Sequence, residues 1–289
     1  MDRDLTNRLR ELLAPGAGTV IPGVANALAG RIAEAAGFEA LLVTGAGVAN
    51  TYLGVPDIGL TTATEVTDHV IAIREATGLP IVADGDTGFG NPINVRRTVR
   101  SFERAGANAM QLEDQVFPKR CGHFEGKSVI PQAEMIAKIK AAVDARRNGM
   151  LILARTDARA VEGMPRAIER MLAYQEAGAD LLFIEAPLDD AELAAIPRAV
   201  PGPHICNMVY GGKTPLHSRA ALAKMGYGGI VYANALMQAA MLAMKNVAEH
   251  LAKTGSLDGV QQAVIPFLER QKMVDHPRYI ELEKRYTET

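Results

Sequence analysis

Several short apolar runs along this chain end in residues that could do chemistry. Asp84 and Asp86 follow one run, Glu113 and Asp114 the next, then Arg155 with Asp157, Glu185, and Asn207. Thr44, Gly45 and Ala46 follow an earlier run, and Asp57 lies in the loop beyond it. Carboxylates gathered in one place repel one another unless a cation lies among them, and hard oxygen ligands with few histidines select Mg²⁺ or Mn²⁺ over zinc. Taken singly, each feature has a plainer reading. "DGDTGFGNP" is a turn by composition, Arg155 a surface ion pair and Asn207 a capped turn; their shared position after apolar runs is what favours a site. A second chemical stretch is "PKRCGHFEGK", residues 118–127, which fits neither a helix nor a strand pattern. Cys121 there could be a small apolar filler. Alternatively, Lys119, Arg120 and His123 could form an electropositive setting that makes the thiol an acid or a nucleophile. The local residues leave both open.

The elements that must carry these residues alternate. Eight candidate strands run through "TVIPG", "ALLVTG", "PIVADG", "AMQLED", "LILARTD", "LLFIEA", "HICNMV" and "GIVYAN". Between them lie segments such as "NVRRTVRSFERAG", whose apolar positions fall three and four apart. Gly37, Gly106, Gly178 and Gly226 each stand just before a strand and read as helix C-caps. Eight such units predict parallel strands closed into a (β/α)8 barrel of the TIM type, with a doubly wound open sheet as the alternative. In a barrel the active site gathers at the C-terminal ends of the strands, where the chemical residues stand. Residues 1–254 are expected to form the catalytic barrel. Residues 255–289, with helical segments in "LDGVQQAVIPFLERQKM" and "PRYIELEKRY", are expected to form a helical extension that packs on another subunit or caps its own.

Composition narrows the partners. The 289 residues carry 31 basic and 33 acidic side chains, a formal net charge of -2, so no global field favours nucleic acid or an anionic membrane. No stretch approaches the roughly 18 consecutive apolar residues of a membrane span. The first residues, "DRDLTNRLRELLAPG", read as an amphipathic helix and not as a signal peptide. Cys121 and Cys206 show neither metal nor disulfide spacing. A cytoplasmic enzyme with a small-molecule substrate is expected.

The segments "VTGAG", "LGVPDIG", "VADGDTGFGN", "QLEDQVFPKRCGH", "LARTDA", "FIEA" and "CNMVYGGKTP" resemble the isocitrate lyase and phosphoenolpyruvate mutase superfamily from about Val20 to Leu251, in particular its short-chain branch of 2-alkylmalate lyases and phosphonomutases. The resemblance implies a (β/α)8 barrel whose last helix is exchanged between subunits in a homotetramer. It also implies an Mg²⁺-dependent carbon–carbon lyase acting on a 2-substituted malate or 2-methylisocitrate-like di- or tricarboxylic acid, with carboxyphosphonoenolpyruvate phosphonomutase or oxaloacetate hydrolase as alternatives. Residue by residue, it implies that Asp84 contacts the metal directly, while Asp57, Asp86 and Glu113 hold the metal's waters. It places Thr44, Gly45 and Ala46 at the substrate carboxylate through backbone N–H groups, with Asp57, Gly122, Arg155 and Asn207 also at the substrate. Cys121, His123 and Glu185 take the catalytic positions, Cys121 as the acid of a mobile loop that protonates a carbanion. Two departures, Tyr210 where a glutamate is usual and Ala233-Asn234 where "PLS" is usual, fall at the presumed substrate end.

Overall fold

The computed structural model describes residues 2–122 and 124–287. Eight parallel strands close on themselves in sequence order: β1 Thr19–Val24, β2 Leu41–Val43, β3 Ile81–Asp84, β4 Ala109–Glu113, β5 Leu151–Thr156, β6 Leu181–Ile184, β7 His204–Asn207 and β8 Tyr227–Tyr232. The closing pair registers Thr19 with Gly229 and Pro22 with Tyr232. The open-sheet alternative is thereby excluded. The helices are α1 Asp2–Leu12, α2 Ala27–Ala35, α3 Gly45–Val48, α4 Ala63–Ala76, α5 Pro92–Arg104, α6 Gln132–Ala145, α7 Ala158–Glu162, α8 Met164–Glu176, α9 Asp190–Ala199, α10 Arg219–Met225, α11 Ala235–Thr254, α12 Phe267–Met273 and α13 His276–Thr287.

Strand residues alternate between two cores, as a closed sheet requires. One set, including Ile21, Leu42, Val82, Leu153, Phe183 and Val231, fills the barrel and packs at its lower end on Leu9 and Leu13 of the α1 region. The other set, including Val43, Ala83, Leu112, Ile152 and Leu182, faces the helical ring. The amphipathic first helix therefore plugs the mouth opposite the strand C-termini. The expected C-cap glycines all adopt positive φ, from +87° at Gly37 to +111° at Gly226, which glycine tolerates without steric cost.

Behind β8 the ring changes character. The 20 residues of α11 include no buried side chain, and α12 and α13 have none either. Met244, Leu242, Phe267 and Leu268 stand at 61–70% exposure. The segment "LDGVQQAVIPFLERQKM" is not one helix as expected. It forms a single 3₁₀ turn, Gln261–Ala263, then an extended stretch, and α12 begins only after Pro266. Proline pushes the residue before it out of the helical region, and Gly259 at φ +91° breaks the run earlier.

A buried histidine in β7 gives the fold a pH response. His204 is fully buried, its Nε2 lies 2.5 Å from the Val200 carbonyl, and its Nδ1 has no hydrogen-bond partner. Burial lowers its pKa, and the Val200 contact only partly opposes this. The unfolded chain, with an ordinary value of about 6.5, takes up the proton first, so stability is complete above that pH and falls as the pH drops below it. Melting curves at pH 7.5 and 5.5 should show the loss, and His204→Gln should reduce it. Parallel profiles for the two proteins would rule His204 out as the source.

Candidate active site

Asp84 is the last residue of β3, and its carboxylate is held on both oxygens. Gln111 Nε2 donates to Oδ1 at 2.9 Å and the Gly45 N–H to Oδ2 at 3.2 Å. A Cβ at residue 45 would stand 3.0 Å from Asp84 Oδ2 and 3.2 Å from Asp86 Oδ1, so glycine permits this approach. The turn that follows, "DGDTGFG", carries Asp86 at φ +44° and Phe89 at +58°. Non-glycine residues in that region cost about 1–3 kcal/mol each and persist only where the surroundings impose them. Here the turn swings Asp86 back beside Asp84, so it is more than a backbone device.

Lys119 enters this acidic group from the loop after β4. Its ammonium pairs with Asp57 and lies 2.9 Å from Asp86 Oδ1, with Lys119 and Asp86 buried and Asp57 partly so. Burial pushes the Asp86 carboxyl up to about 6, with Asp84 and Asp57 adding to the effect and Lys119 opposing it. Burial would lower the Lys119 ammonium, but the surrounding carboxylates reverse this and raise it. Glu113, the last residue of β4, is 1% exposed, and its Oε1 has no hydrogen-bond partner. Burial raises its pKa well above the usual carboxylate range, against the pull of Arg155.

Arg155 is the cationic centre of the mouth. Its Nε lies 3.0 Å from Asp157 Oδ2 and 3.4 Å from Glu113 Oε2, and its Nη2 lies 3.2 Å from Glu185 Oε2. The guanidinium also covers the Phe183 ring at 5.4 Å, a cation–π contact. Burial alone would lower the Arg155 pKa, and the three carboxylates raise it instead. Glu185 is fixed from the other side by the Ala186 N–H at 2.9 Å.

These groups share one cavity of about 40 Å³, lined among others by Thr44, Ala46, Asp57, Asp84, Lys119, Cys121, Gly122, Arg155, Glu185 and Asn207. By that measure a water needs about 10–15 Å³, so the cavity as it stands holds a few waters, and Lys119, Cys121 and Gly122 of the loop after β4 form part of its wall. That loop is pinned at its base by the Gln115–Val129 bridge and the Val116 N–H to Ser128 carbonyl bond of 2.9 Å. A wider cleft of about 480 Å³ on the opposite face, lined by Arg3, Arg10, Arg146 and Arg147, contains no strand-end group.

The structure brings many of the residues singled out in the sequence together at this mouth and places others elsewhere. Asp84, Asp57, Cys121, Gly122, Arg155, Glu185 and Asn207 line the cavity, with Asp86 and Glu113 buried beside it. The segment Thr44-Gly45-Ala46 is present, but the Thr44 N–H donates to the Val24 carbonyl and the Gly45 N–H to Asp84, which leaves the Ala46 N–H for a ligand. His123 lies outside the described residues. The electropositive setting expected for Cys121 is different in composition: Lys119 is engaged by Asp57 and Asp86, and Arg120 donates to the Glu125 carbonyl at 3.2 Å. Lys119 and Arg155 are the cations that line the cavity with the thiol. Tyr210 does not line the substrate end; it is 81% exposed and faces solvent. Ala233 and Asn234 do line the cavity, and the Oδ1 atoms of Asn207 and Asn234 have no hydrogen-bond partner. Asp114 points outward, accepting from Thr156, Tyr174 and the Asp157 N–H, and serves the packing of α8. Gln111 and Phe183, which also line the cavity, escape the sequence reading as site residues. The pleat of β4 and β6 gave the only signal for Gln111 and Phe183, two residues before Glu113 and Glu185.

A closed eight-stranded barrel with buried carboxylates, an arginine and a thiol converging at its C-terminal mouth defines a (β/α)8 barrel enzyme. A family profile described as phosphoenolpyruvate phosphomutase matches residues 9–252, and the chain belongs to that family. The 2,3-dimethylmalate lyase of Eubacterium barkeri is 43% identical over 280 residues, covering 96% of this chain and 97% of that one. The 2-methylisocitrate lyase of Aeropyrum pernix is 41% identical, covering 97% and 89%. Among solved structures, oxaloacetate acetylhydrolase in complex with 3,3-difluorooxalacetate superposes with a TM-score of 0.92 at 31% identity, covering 98% of this chain and 97% of that one.

Proposed function

We propose that this enzyme is a carbon–carbon lyase that cleaves a 2-alkylmalate or 2-methylisocitrate-like 2-hydroxy acid, of the 2,3-dimethylmalate type, to an α-keto acid and a carboxylic acid. The observation that carries the reading is the joint presence of Cys121 and Arg155 in one cavity with the carboxylates of Asp57, Asp84 and Glu185.

The donor set fits Mg²⁺ held largely through water. Among the described residues no three carboxylate, histidine or cysteine side chains form a preassembled ligand cage. The oxygens present are hard ones, and Glu113 Oε1 is buried without a hydrogen-bond partner. Asp84 would hold the ion directly, with Asp57, Asp86 and Glu113 on its waters, and the bound ion would offset negative charge developing on the substrate oxygens. Mn²⁺ suits the same donors. The Ala46 N–H and Arg155 would bind the substrate carboxylates, and the Asn207 and Asn234 amides would meet its remaining polar groups. Transfer of the hydroxyl proton to a base, for which the Glu185 carboxylate in the same cavity is the candidate, and scission of the C2–C3 bond leave pyruvate from a 2-methylmalate and move the bonding pair onto C3. Cys121 then delivers its Sγ–H proton to C3, and its thiolate recovers a proton from solvent when the loop withdraws. Glu185 holds Arg155 in place through the 3.2 Å contact and is the carboxylate nearest that cation on the β6 side.

The reading extends to a cytoplasmic homo-oligomer, a tetramer in the simplest case, in which residues 255–289 and the uncovered face of α11 pack on a second copy. Its support is the exposed apolar set Met244, Leu242, Phe267 and Leu268, which monomers seldom present together.

A screen of 2-substituted malates, 2-methylisocitrate, oxaloacetate and phosphonopyruvate with Mg²⁺ tests the proposal by α-keto acid release. Turnover of a malate, lost on chelation and restored by Mg²⁺, is expected. Oxalate and acetate from oxaloacetate with no keto acid from any malate would replace the lyase reading with a hydrolase.

A further inference from the structure

Loop 116–128 returns to the barrel through two lysines, Lys119 and Lys127. The first pairs with Asp57 and Asp86. The second has no part in the chemistry described above, yet its side chain is only 2% exposed. It donates to the Gly122 carbonyl, five residues back, and to Asp157 Oδ1 at 2.7 Å. An ammonium buried to this degree is costly unless a carboxylate pairs it, so its position constrains both partners.

Those partners lead straight to the reacting groups. Asp157, itself fully buried, also accepts Arg155 Nε at 3.0 Å and Arg155 Nη2 at 3.2 Å, the latter on the same Oδ1 that takes Lys127. A Cβ on residue 122 would fall 2.5 Å from Arg155 Nη2 and 2.6 Å from Glu185 Cγ, so the Gly122 backbone lies directly against the Arg155–Glu185 pair. Cys121 is its neighbour in sequence and lines the same cavity.

We infer that Lys127 is a positioning residue: by bridging the Gly122 carbonyl to Asp157 it fixes the Cys121 segment against Arg155, so that the thiol and the guanidinium take up their places together. Sharing Asp157 between two cations also leaves the Arg155 charge less neutralised and better able to hold a substrate carboxylate. Burial would raise the Asp157 carboxyl, but Arg155 and Lys127 outweigh it and hold it at about 2, so the shared anion persists through the neutral range. The catalytic meaning of the inference rests on the lyase reading; the positioning itself does not.

The test compares Lys127→Met, Lys127→Arg, Asp157→Asn and the Lys127→Met/Asp157→Asn double variant by two measurements. The first is the rate at which iodoacetamide alkylates Cys121 without substrate. Cys206, 3% exposed, reports any general loosening. The second is kcat against KM. Removing a hydrogen bond to a charged group should accelerate Cys121 alkylation roughly 10-fold or more. Cys206 should stay protected, kcat should fall more than KM rises, and arginine should restore most of both. Because the two residues act through one contact, the double variant should be no faster to alkylate than the faster single one. An unchanged alkylation rate in Lys127→Met, or Cys206 labelled in step with Cys121, would overturn the inference. Alkylation needs no turnover, so a wild-type protein inactive on every malate would defeat the lyase reading and leave this test standing.

Discussion

Arg155→Gln is expected to lose at least about 10³-fold in turnover and to melt about 10 °C below the wild type. Both effects follow from where the guanidinium sits. It is the cation common to Glu113, Asp157 and Glu185, and all three carboxylates are at most 1% exposed. Breaking a buried pair by removing one partner costs about 3–5 kcal/mol, because the charge left behind is uncompensated. For a chain of this size each kcal/mol corresponds to roughly 2–4 °C in Tm. Arg155→Lys separates structure from chemistry. A lysine can supply a charge to the carboxylates and recover part of the stability, but as a point charge it cannot hold Asp157 with Nε and Nη2 together while reaching Glu185 with the same nitrogen. Its turnover should therefore stay low while its Tm rises towards wild type. Equal kcat and Tm for Arg155→Gln and wild type would remove Arg155 from the site.

The barrel was readable because its signals are local and repeated. Each strand is a short apolar run, and each αL glycine before a strand, such as Gly106 or Gly226, is forced by backbone sterics that do not depend on the rest of the fold. Asp84, Glu113 and Asn207 were readable for a related reason: each is the last residue of its strand, and the barrel topology carries that position to the mouth. What the chain order concealed is direction. Asp114 follows Glu113 by one residue and so points to the other side, where Tyr174 and Arg170 take it up. Tyr210 follows β7 closely, but the loop turns it to solvent. Lys119 sits two residues before Cys121, and its charge is claimed by Asp57, 62 residues away in sequence. The same limit hid Lys127, whose partner Asp157 stands just after the next strand, 30 residues on. The break at Pro266 was visible in the sequence, and the apolar spacing around it suggested a longer helix than one proline allows.

Cys121→Ser is the second large effect. The thiol lines the cavity that also holds Arg155 and Glu185, and loop 116–128 carries it there. Serine is nearly isosteric, so the fold and the carboxylate group at β3 and β4 should be unaffected and Tm should hold. Proton delivery should not, because a hydroxyl is a far weaker acid than a thiol whose ordinary pKa is about 8.5. General acid catalysis contributes about 10²- to 10⁴-fold, and kcat on the best malate should fall within that range while KM changes little. Cys206 provides the opposite case in the same molecule. It lies in β7, its Sγ is 3.7 Å from the Gly229 carbonyl, and burial pushes its thiol pKa up, so it stays protonated and takes no part in proton transfer. Cys206→Ser places a hydroxyl among Leu222, Tyr227 and Ile230 and should lower Tm with kcat nearly intact. Measuring kcat and Tm for both variants therefore gives a crossed pattern if Cys121 is the acid. A Cys121→Ser enzyme with wild-type kcat would show that the carbanion takes its proton from elsewhere, and would shift the assignment to a hydrolase or mutase that needs no thiol.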